Sequence, residues 1–282
     1  MSETQPTDRQ EQQQPPQPDL QNALVLVKRD DGVATLTLNR PDRLNALNKD
    51  LAVGLNEALG ELGSDKHIQA VVITGAGRAF CAGGDLTEIW KGRQENDTSD
   101  LEPLLRVGAQ IALKIRLMRQ PLIAAVNGPA AGAGMNIALA ADVRIASEAA
   151  TFGENFVKVG LFPDYGGTFF LPELIGPARA AEMFYSGEMI DAQKALQLGI
   201  VNRVTSPEKL DAEAHELAHN IAHGPTTSLR AIKHTLFGSA RERLTKALEA
   251  EVDEQMKCFN SEDCAEGLRA FFEKRKPNFT GK

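Results

Sequence analysis

Cysteine is scarce in this chain: Cys81, Cys258 and Cys264 are the only three in 282 residues. A sparse, odd set argues against a disulfide framework and fits a reducing compartment. Excess positive charge is also missing. Lysine and arginine total 31 against 38 aspartates and glutamates, a net charge of −7, which speaks against electrostatically driven nucleic-acid binding. No apolar run reaches the roughly 18 to 20 residues of a membrane span. The nearest, around 122–141, is interrupted by Asn127, Gly128, Pro129 and Asn136. Residues 1–20 have no apolar h-region and are acidic-polar, so they fit neither a secretory signal nor a transit helix. Glutamine and proline dominate there, and such a stretch has too little to bury to offset the entropy of ordering it. The expectation is a disordered tail over 1–20 and a cytoplasmic address.

What is present reads as alternating strands and helices followed by helices alone. Leu24 to Lys28 and Val33 to Leu38 flank Asp30-Asp31-Gly32, the pattern of an antiparallel hairpin. Asn48 is placed to cap a helix bearing Leu51, Leu55, Leu59 and Leu62. Ala70 to Thr74 and Leu122 to Val126 are buried strands, with a long helix over Leu101 to Met118 between them. A small-residue segment and a helix through Ala141 come next, then a short strand over Val143 to Ala146. From Pro177 the spacing is mostly helical, over Pro177–Tyr185, Asp191–Leu198, Pro207–Ala222, Thr226–Phe237, Arg241–Phe259 and Glu262–Lys274. No internal repeat and no Gly/Ser linker divides the chain. The organisation expected is α/β: a core over 21–205 and a helical C-terminal region over 206–282.

Several motifs compete for function. Gly75-Ala76-Gly77 opens like a dinucleotide fingerprint, but Phe80 stands where the third glycine belongs. His215-Glu216-Leu217-Ala218-His219 spells H-E-x-x-H, a zinc-peptidase signature. On a helix, however, these histidines and His223 share one side opposite Leu217, Ala218, Ile221 and Ala222, which reads as a solvated face rather than a cleft. Cys81 lies in a glycine-rich turn with no obvious histidine partner, so it reads as a small buried thiol.

Two glycine-rich turns and one carboxylate carry more. Phe80-Cys81-Ala82-Gly83-Gly84-Asp85-Leu86 and Asn127-Gly128-Pro129-Ala130-Ala131-Gly132-Ala133-Gly134 each follow a buried strand, and the second leads into a helix. Small residues let backbone N–H groups approach a ligand closely, and two such donors converging on one oxygen make an oxyanion hole. The same turns would equally serve as tight connections without a ligand. Asp164, in Leu161-Phe162-Pro163-Asp164-Tyr165-Gly166-Gly167, is either a desolvated proton-transfer group or a turn residue satisfying nearby N–H groups.

Taken together and in order, these segments resemble the enoyl-CoA hydratase/isomerase (crotonase) family. The resemblance rests on Leu38-Asn39-Arg40-Pro41, Leu44-Asn45-Ala46-Leu47, the FCAGGDL run at 80–86, AAVNGPAAGAG at 124–134 and GLFPDYGGT at 160–168. ALQLGIVNRV at 195–204 and FFEKRKPNF at 271–279 also fit. It covers roughly 23 to 279. It implies a crotonase fold, two roughly perpendicular β-sheets wrapped by helices, with a C-terminal helical region that forms a homotrimer or a homohexamer. It implies an acyl-CoA thioester substrate, no metal and no separate cofactor, since coenzyme A is part of the substrate. It places the oxyanion donors at the backbones of Gly84 and Ala133, and the substrate's adenine and pantetheine near Leu44, Ala46, Ala82, Gly84, Asp85 and Leu86.

The chain departs from the hydratase pattern at two points. Hydratases of this family carry a glutamate three residues past Ala133 and another four past Phe152; this sequence has Asn136 and Phe156. Glu154 is two residues off the second position. What remains is Asp164, which by position resembles the acid/base of family isomerases acting on dienoyl-CoA or 1,2-epoxyphenylacetyl-CoA. One carboxyl suits a proton shift through a thioester enolate, whereas water addition usually takes two. The expectation is therefore an isomerase of an unsaturated acyl-CoA with Asp164 as shuttle. An enoyl-CoA hydratase and a non-catalytic acyl-CoA binder are the alternatives. Phe156, Phe162, Tyr165 and Trp90 are candidate pocket aromatics.

Overall fold

The computed structural model describes residues 23–95 and 99–282; the tail expected over 1–20 lies outside them. Chain order is β1 (Val25–Asp30), β2 (Val33–Leu38), α1 (Lys49–Ser64), β3 (Ala70–Gly75), α2 (Leu86–Gln94), α3 (Leu101–Leu117) and β4 (Leu122–Val126). Then come β5 (Ala130–Ala131), α4 (Ala133–Ala140), β6 (Val143–Ser147), β7 (Thr151–Gly153), α5 (Gly167–Ile175), α6 (Pro177–Ser186), β8 (Ile190–Asp191), α7 (Ala192–Leu198) and β9 (Arg203–Thr205). The remainder is helical: α8 (Pro207–Ala222), α9 (Thr226–Phe237), α10 (Arg241–Phe259) and α11 (Glu262–Phe272).

The strands form a six-stranded sheet of order β1-β2-β3-β4-β6-β9 and a small sheet of order β5-β7-β8. The expected hairpin is there, with Val25 opposite Leu38 and Asp30 opposite Val33. From β2 onward the large sheet is parallel. Its central strands are apolar throughout because both faces are covered. Val71, Ile73, Leu122, Ala124 and Val126 face the main core, which holds α1, α3 and α4. Their alternates Ala70, Val72, Ile123 and Ala125 face Leu210, Ala214 and Ala218 of α8. The H-E-x-x-H segment thus lies on a helix whose buried stripe covers the back of the sheet.

Local chemistry accounts for the long elements. The Asn48 side chain accepts the Leu51 N–H and starts α1 as its sequence position predicts. α2, α5 and the small sheet are not evident in the sequence. α5 contains Pro172, normally a breaker, and strands of two or three residues are too short to show alternation.

A buried ion pair ties α9 to the start of β4. Lys233 Nζ donates to Asp142 Oδ2 at 2.7 Å and to the carbonyls of Gln120 (2.8 Å) and Ile115 (3.3 Å). Asp142 Oδ2 also accepts the Leu122 N–H at 2.7 Å. The Lys233 and Asp142 side chains are 7% and 12% exposed, so removing one partner strands the other's charge. Lys233→Met should lower unfolding free energy by about 3 to 5 kcal/mol, read from the urea midpoint at unchanged slope.

Candidate active site

The two glycine turns leave the C-terminal ends of neighbouring parallel strands, β3 and β4, and are hydrogen-bonded to each other. Phe80 and Cys81 donate their N–H groups to Pro129 O, both at 3.1 Å, and Ala131 N donates to Cys81 O at 3.0 Å. Asn45 and Asn127 brace the approach. Asn45 Nδ2 reaches the carbonyls of Ala76, Ala79 and Phe80 at 2.9, 2.8 and 3.2 Å. Asn127 Nδ2 reaches Gly75 O and Gly77 O at 2.9 and 3.0 Å. Two glycines permit the contact. Gly83 has φ +94° and a Cβ there would stand 2.8 Å from Ala131 O; a Cβ on Gly134 would collide with Cys81.

This abutment brings the expected donors to one cavity. Ala133 is the first residue of α4, where a helix N–H has no intrahelical acceptor. Gly84 forms a bridge with Leu47 whose bonds run from Leu47 N to Gly83 O and from Asp85 N to Leu47 O, which leaves the Gly84 N–H outside the ladder. Gly84, Ala133 and Asp164 together line a cavity of about 330 Å³ whose apolar wall includes Ile89, Leu101, Leu104 and Tyr165. A second cavity of about 180 Å³ shares Gly84, Ile89, Asp164 and Phe259 with it and continues past Ala82, Leu86, Phe156 and Lys158. The thioester expected at the two donors would therefore sit where the cavities meet.

Most of the remaining expected site residues border this space. Ala82 and Leu86 line the smaller cavity and Asp85 the larger. Asp85 also caps α2 through Thr87 N and pairs with Arg40 at 3.1 Å. Leu44 and Ala46 line neither cavity. Leu44 O accepts the Ala82 N–H at 3.0 Å, Ala46 O accepts from Arg40, and both residues are half-buried. Of the aromatics, Tyr165 and Phe156 line the space. Trp90 instead packs against Phe272, centroids 6.1 Å apart, and Phe162 lines neither cavity.

The carboxyl at the centre is electrostatically unusual. Asp164 as a residue is half-buried, but its Oδ1 is sealed from solvent without a hydrogen-bond partner. Its Oδ2 accepts from Gln255 Nε2 at 3.3 Å. Burial, aided by the Glu251 carboxylate, pushes its pKa up to about 8, against the pull of the Gln255 bond. Two further acids stand close by. Glu154 is fully buried and is pushed well above the usual range by burial and by Asp164. Glu251 is pushed to about 7 by burial, opposed by its bonds to Thr168 and Gly166. Asn136, at the first position where a hydratase glutamate is replaced, turns its amide to the loop. Its Nδ2 donates to Asp164 O at 2.8 Å and lies 3.5 Å from Glu154 Oε2.

Glu251 and Gln255 are absent from the residues expected at the site, and they lie 83 and more residues from the groups they hold. Their one trace in the sequence is the i, i+4 spacing on a helix. Glu154 stands out in the sequence only as a glutamate off the hydratase position; the turn of β7 into the loop is what brings it beside Asp164.

The other candidates stay outside this region. Cys81 is buried, donates to Asn45 O, and has a thiol pushed up to about 12 by burial; it is no nucleophile. The H-E-x-x-H histidines separate. His215 binds Thr35 Oγ1 and Asp211 O. His219 and His223 face Asp31 Oδ2 at 3.5 and 3.3 Å, the three ligand atoms close enough for one ion. All three are exposed, and Asp31 lies in the β1–β2 turn, at the end of the sheet opposite the glycine turns. That arrangement is not a catalytic zinc cleft.

The model of the enoyl-CoA hydratase/isomerase family matches residues 28–282. The chain belongs to that family. Among this family member's relatives is the 1,2-epoxyphenylacetyl-CoA isomerase of Escherichia coli, 38% identical over 92% of this chain and 98% of that protein. Another is the crotonyl-CoA hydratase of Syntrophomonas wolfei, 34% identical over 92% and 98%. The fold of this family member matches the crystal structure of an enoyl-CoA hydratase from Mycobacterium avium subsp. paratuberculosis with a TM-score of 0.83, at 33% identity over 92% of this chain and 99% of that one. The α/β crotonase fold with a helical C-terminal region is thus established, and so is the acyl-CoA class of enzyme. Likeness of sequence spans both isomerase and hydratase.

The raised Asp164 carboxyl carries a pH signature in stability. Its pKa is higher folded, about 8, than the ordinary 3.8, so between those values unfolding releases a proton and stability falls as pH rises. Asp164→Asn removes the titration. The stability of the variant relative to the parent chain should rise by at most about 1.4 kcal/mol for each pH unit between about 4 and 8, so the gap is widest near pH 8 and closes toward pH 4, as urea titrations at the two pH values would show.

Proposed function

We propose that this enzyme isomerises an unsaturated acyl-CoA by moving a proton between two carbons of an allylic system. The observation that supports this reading best is the single carboxyl at the cavity junction. Asp164 faces the space shared with Gly84 and Ala133, while Asn136 and Phe156 occupy the positions at which the resemblance places the two hydratase glutamates. Phe156 is buried against Gly132 and makes that wall apolar, a poor seat for an attacking water.

The chemistry follows from the groups present. The thioester carbonyl accepts the N–H groups of Gly84 and Ala133. Ionised Asp164 takes a proton from a carbon in conjugation with the carbonyl, and negative charge moves to the thioester oxygen, where the two donors stabilise the enolate. The resulting neutral Asp164 acid returns the proton to the other end of the delocalised system. Proton and electron counts close on these groups, so the step needs no redox partner and coenzyme A enters only as part of the substrate. A pKa near 8 suits one carboxyl that must act as base and then as acid. The acyl chain would occupy the larger, apolar-walled cavity.

The same proposal includes substrate contacts at Leu44, Ala46, Ala82, Gly84, Asp85, Leu86 and Ala133, assembly as a homotrimer or homohexamer, and work in the cytoplasm. Among the described residues no helix is long and apolar enough to cross a membrane.

The test follows the conjugated-enoyl absorbance with a 3-enoyl-CoA and, separately, crotonyl-CoA. Gain from the first without loss from the second is the expected result; rapid loss from crotonyl-CoA means hydration and overturns the proposal. Silence from both, with coenzyme A thioester still bound, points to a binder. With the active substrate, kcat/KM should rise with pH through about 8, because the basic form begins the reaction. Asp164→Asn should lower kcat about 10²- to 10⁴-fold. Ala133→Pro deletes one donor at a helix position that tolerates proline and should cost about 10²- to 10³-fold in kcat.

A further inference from the structure

Helix α10 grips the Asp164 loop through two side chains one turn apart. Glu251 Oε2 accepts the Gly166 N–H at 2.7 Å, and its Oε1 accepts Thr168 N at 2.9 Å and Thr168 Oγ1 at 2.5 Å. Gln255 Oε1 accepts Phe162 N at 2.8 Å while its Nε2 donates to Phe162 O at 2.6 Å and to Asp164 Oδ2 at 3.3 Å. The two residues are 2% and 1% exposed. Together they take up backbone groups on both sides of Asp164, and one of them touches its carboxyl.

A buried carboxylate and a buried amide on a loop are more than fasteners if the loop carries the working acid. We propose that Glu251 and Gln255 are positioning residues that set Asp164 for proton transfer with opposed effects: Glu251 favours its neutral acid, Gln255 its carboxylate. Glu251 does so by placing negative charge beside Asp164, which makes a second negative charge costly. Gln255 does so by donating a hydrogen bond that the ionised oxygen accepts more strongly than the neutral one. The directions of both effects agree with the balance of groups acting on Asp164.

Among the described residues, Lys49, Lys91 and Lys158 line the cavities that Asp164 borders, the first two paired with Asp100 and Glu95 and the third exposed. Glu154 faces the loop and Tyr165 belongs to it; burial pushes the pKa of each upward. From α3, Arg106 pairs with Glu102, and Arg116 donates to Leu139 O and lies over the rings of Phe170 and Phe237. From α5, Glu173 is taken by Arg243 of α10. On α10 itself Asp253 and Glu254 face away, exposed or half-exposed.

The proposal rests on the reading of Asp164 as the acid/base for its effect on rate, but its test needs no substrate. The Asp164 carboxyl is followed by 13C NMR in the full chain as pH is raised, its signal assigned by its loss in Asp164→Asn. In the parent chain the midpoint should lie near 8. In Glu251→Gln it should fall by about one pH unit or more. In Gln255→Met it should rise. A role limited to holding the loop shut predicts something different: either substitution would admit water and lower the midpoint. Shifts of the same sign, or no shift, therefore overturn the proposal. Should Glu251→Gln fail to fold, Gln255→Met alone decides, since a midpoint that falls or stays put overturns it. Activity bears on the other question. If Asp164→Asn retains turnover, the isomerase reading fails while the opposed NMR shifts still stand or fall on their own.

Discussion

Everything in this site depends on two backbone turns being pressed together closely enough to share hydrogen bonds. The contact between 80–81 and 129–131 fixes the separation of Gly84 and Ala133, and with it the place where a single oxygen could meet both N–H groups. Backbone groups of Phe80, Cys81, Pro129 and Ala131 make that contact, and Gly83 and Gly134 permit it because a Cβ at either would run into the facing turn. The sheet behind supplies the registration. β3 and β4 are neighbours, so the segments leaving their ends emerge side by side, and the asparagines at 45 and 127 absorb the carbonyls that the sharp exits leave unpaired.

Against this rigid, mostly uncharged cradle stands a concentration of acids. Asp164, Glu154 and Glu251 converge in a region that water reaches poorly, and burial is the leading cause of the raised pKa of each. Native chains rarely leave a buried carboxyl oxygen without a partner, yet Oδ1 of Asp164 and Oε1 of Glu154 are both in that state. Such an arrangement is costly to the fold and useful to proton chemistry, the usual trade at a functional site.

How much of this is legible in the sequence varies with physical scale. Periodicity locates the hairpin, the apolar strands and the long helices because each spans enough residues to show its repeat. It cannot show β5, β7 or β8, where pairing comes from tertiary contact alone. Glycine spacing reveals both turns, and Asp164 is visible as an acid among apolar neighbours. Its partners are not. Glu251 and Gln255 look like surface residues of a highly charged helix until α10 is laid against the loop. The histidine motif fails for the opposite reason: its spacing is right, but the helix turns His215 toward Thr35 and the other two toward Asp31.

The reach of α10 also has a bearing on how the chain is made. The hold on Gly166 comes from a residue 85 positions later, and loop closure of that span must precede any gain from the contact. On the ribosome, at about 5 to 20 residues per second, the cradle and its aspartate emerge several seconds before the helix that secures them. A nascent chain therefore carries both turns and Asp164 before it carries either residue that holds the loop, and a chain ending between residues 168 and 251 would contain the turns and the aspartate without Glu251 or Gln255.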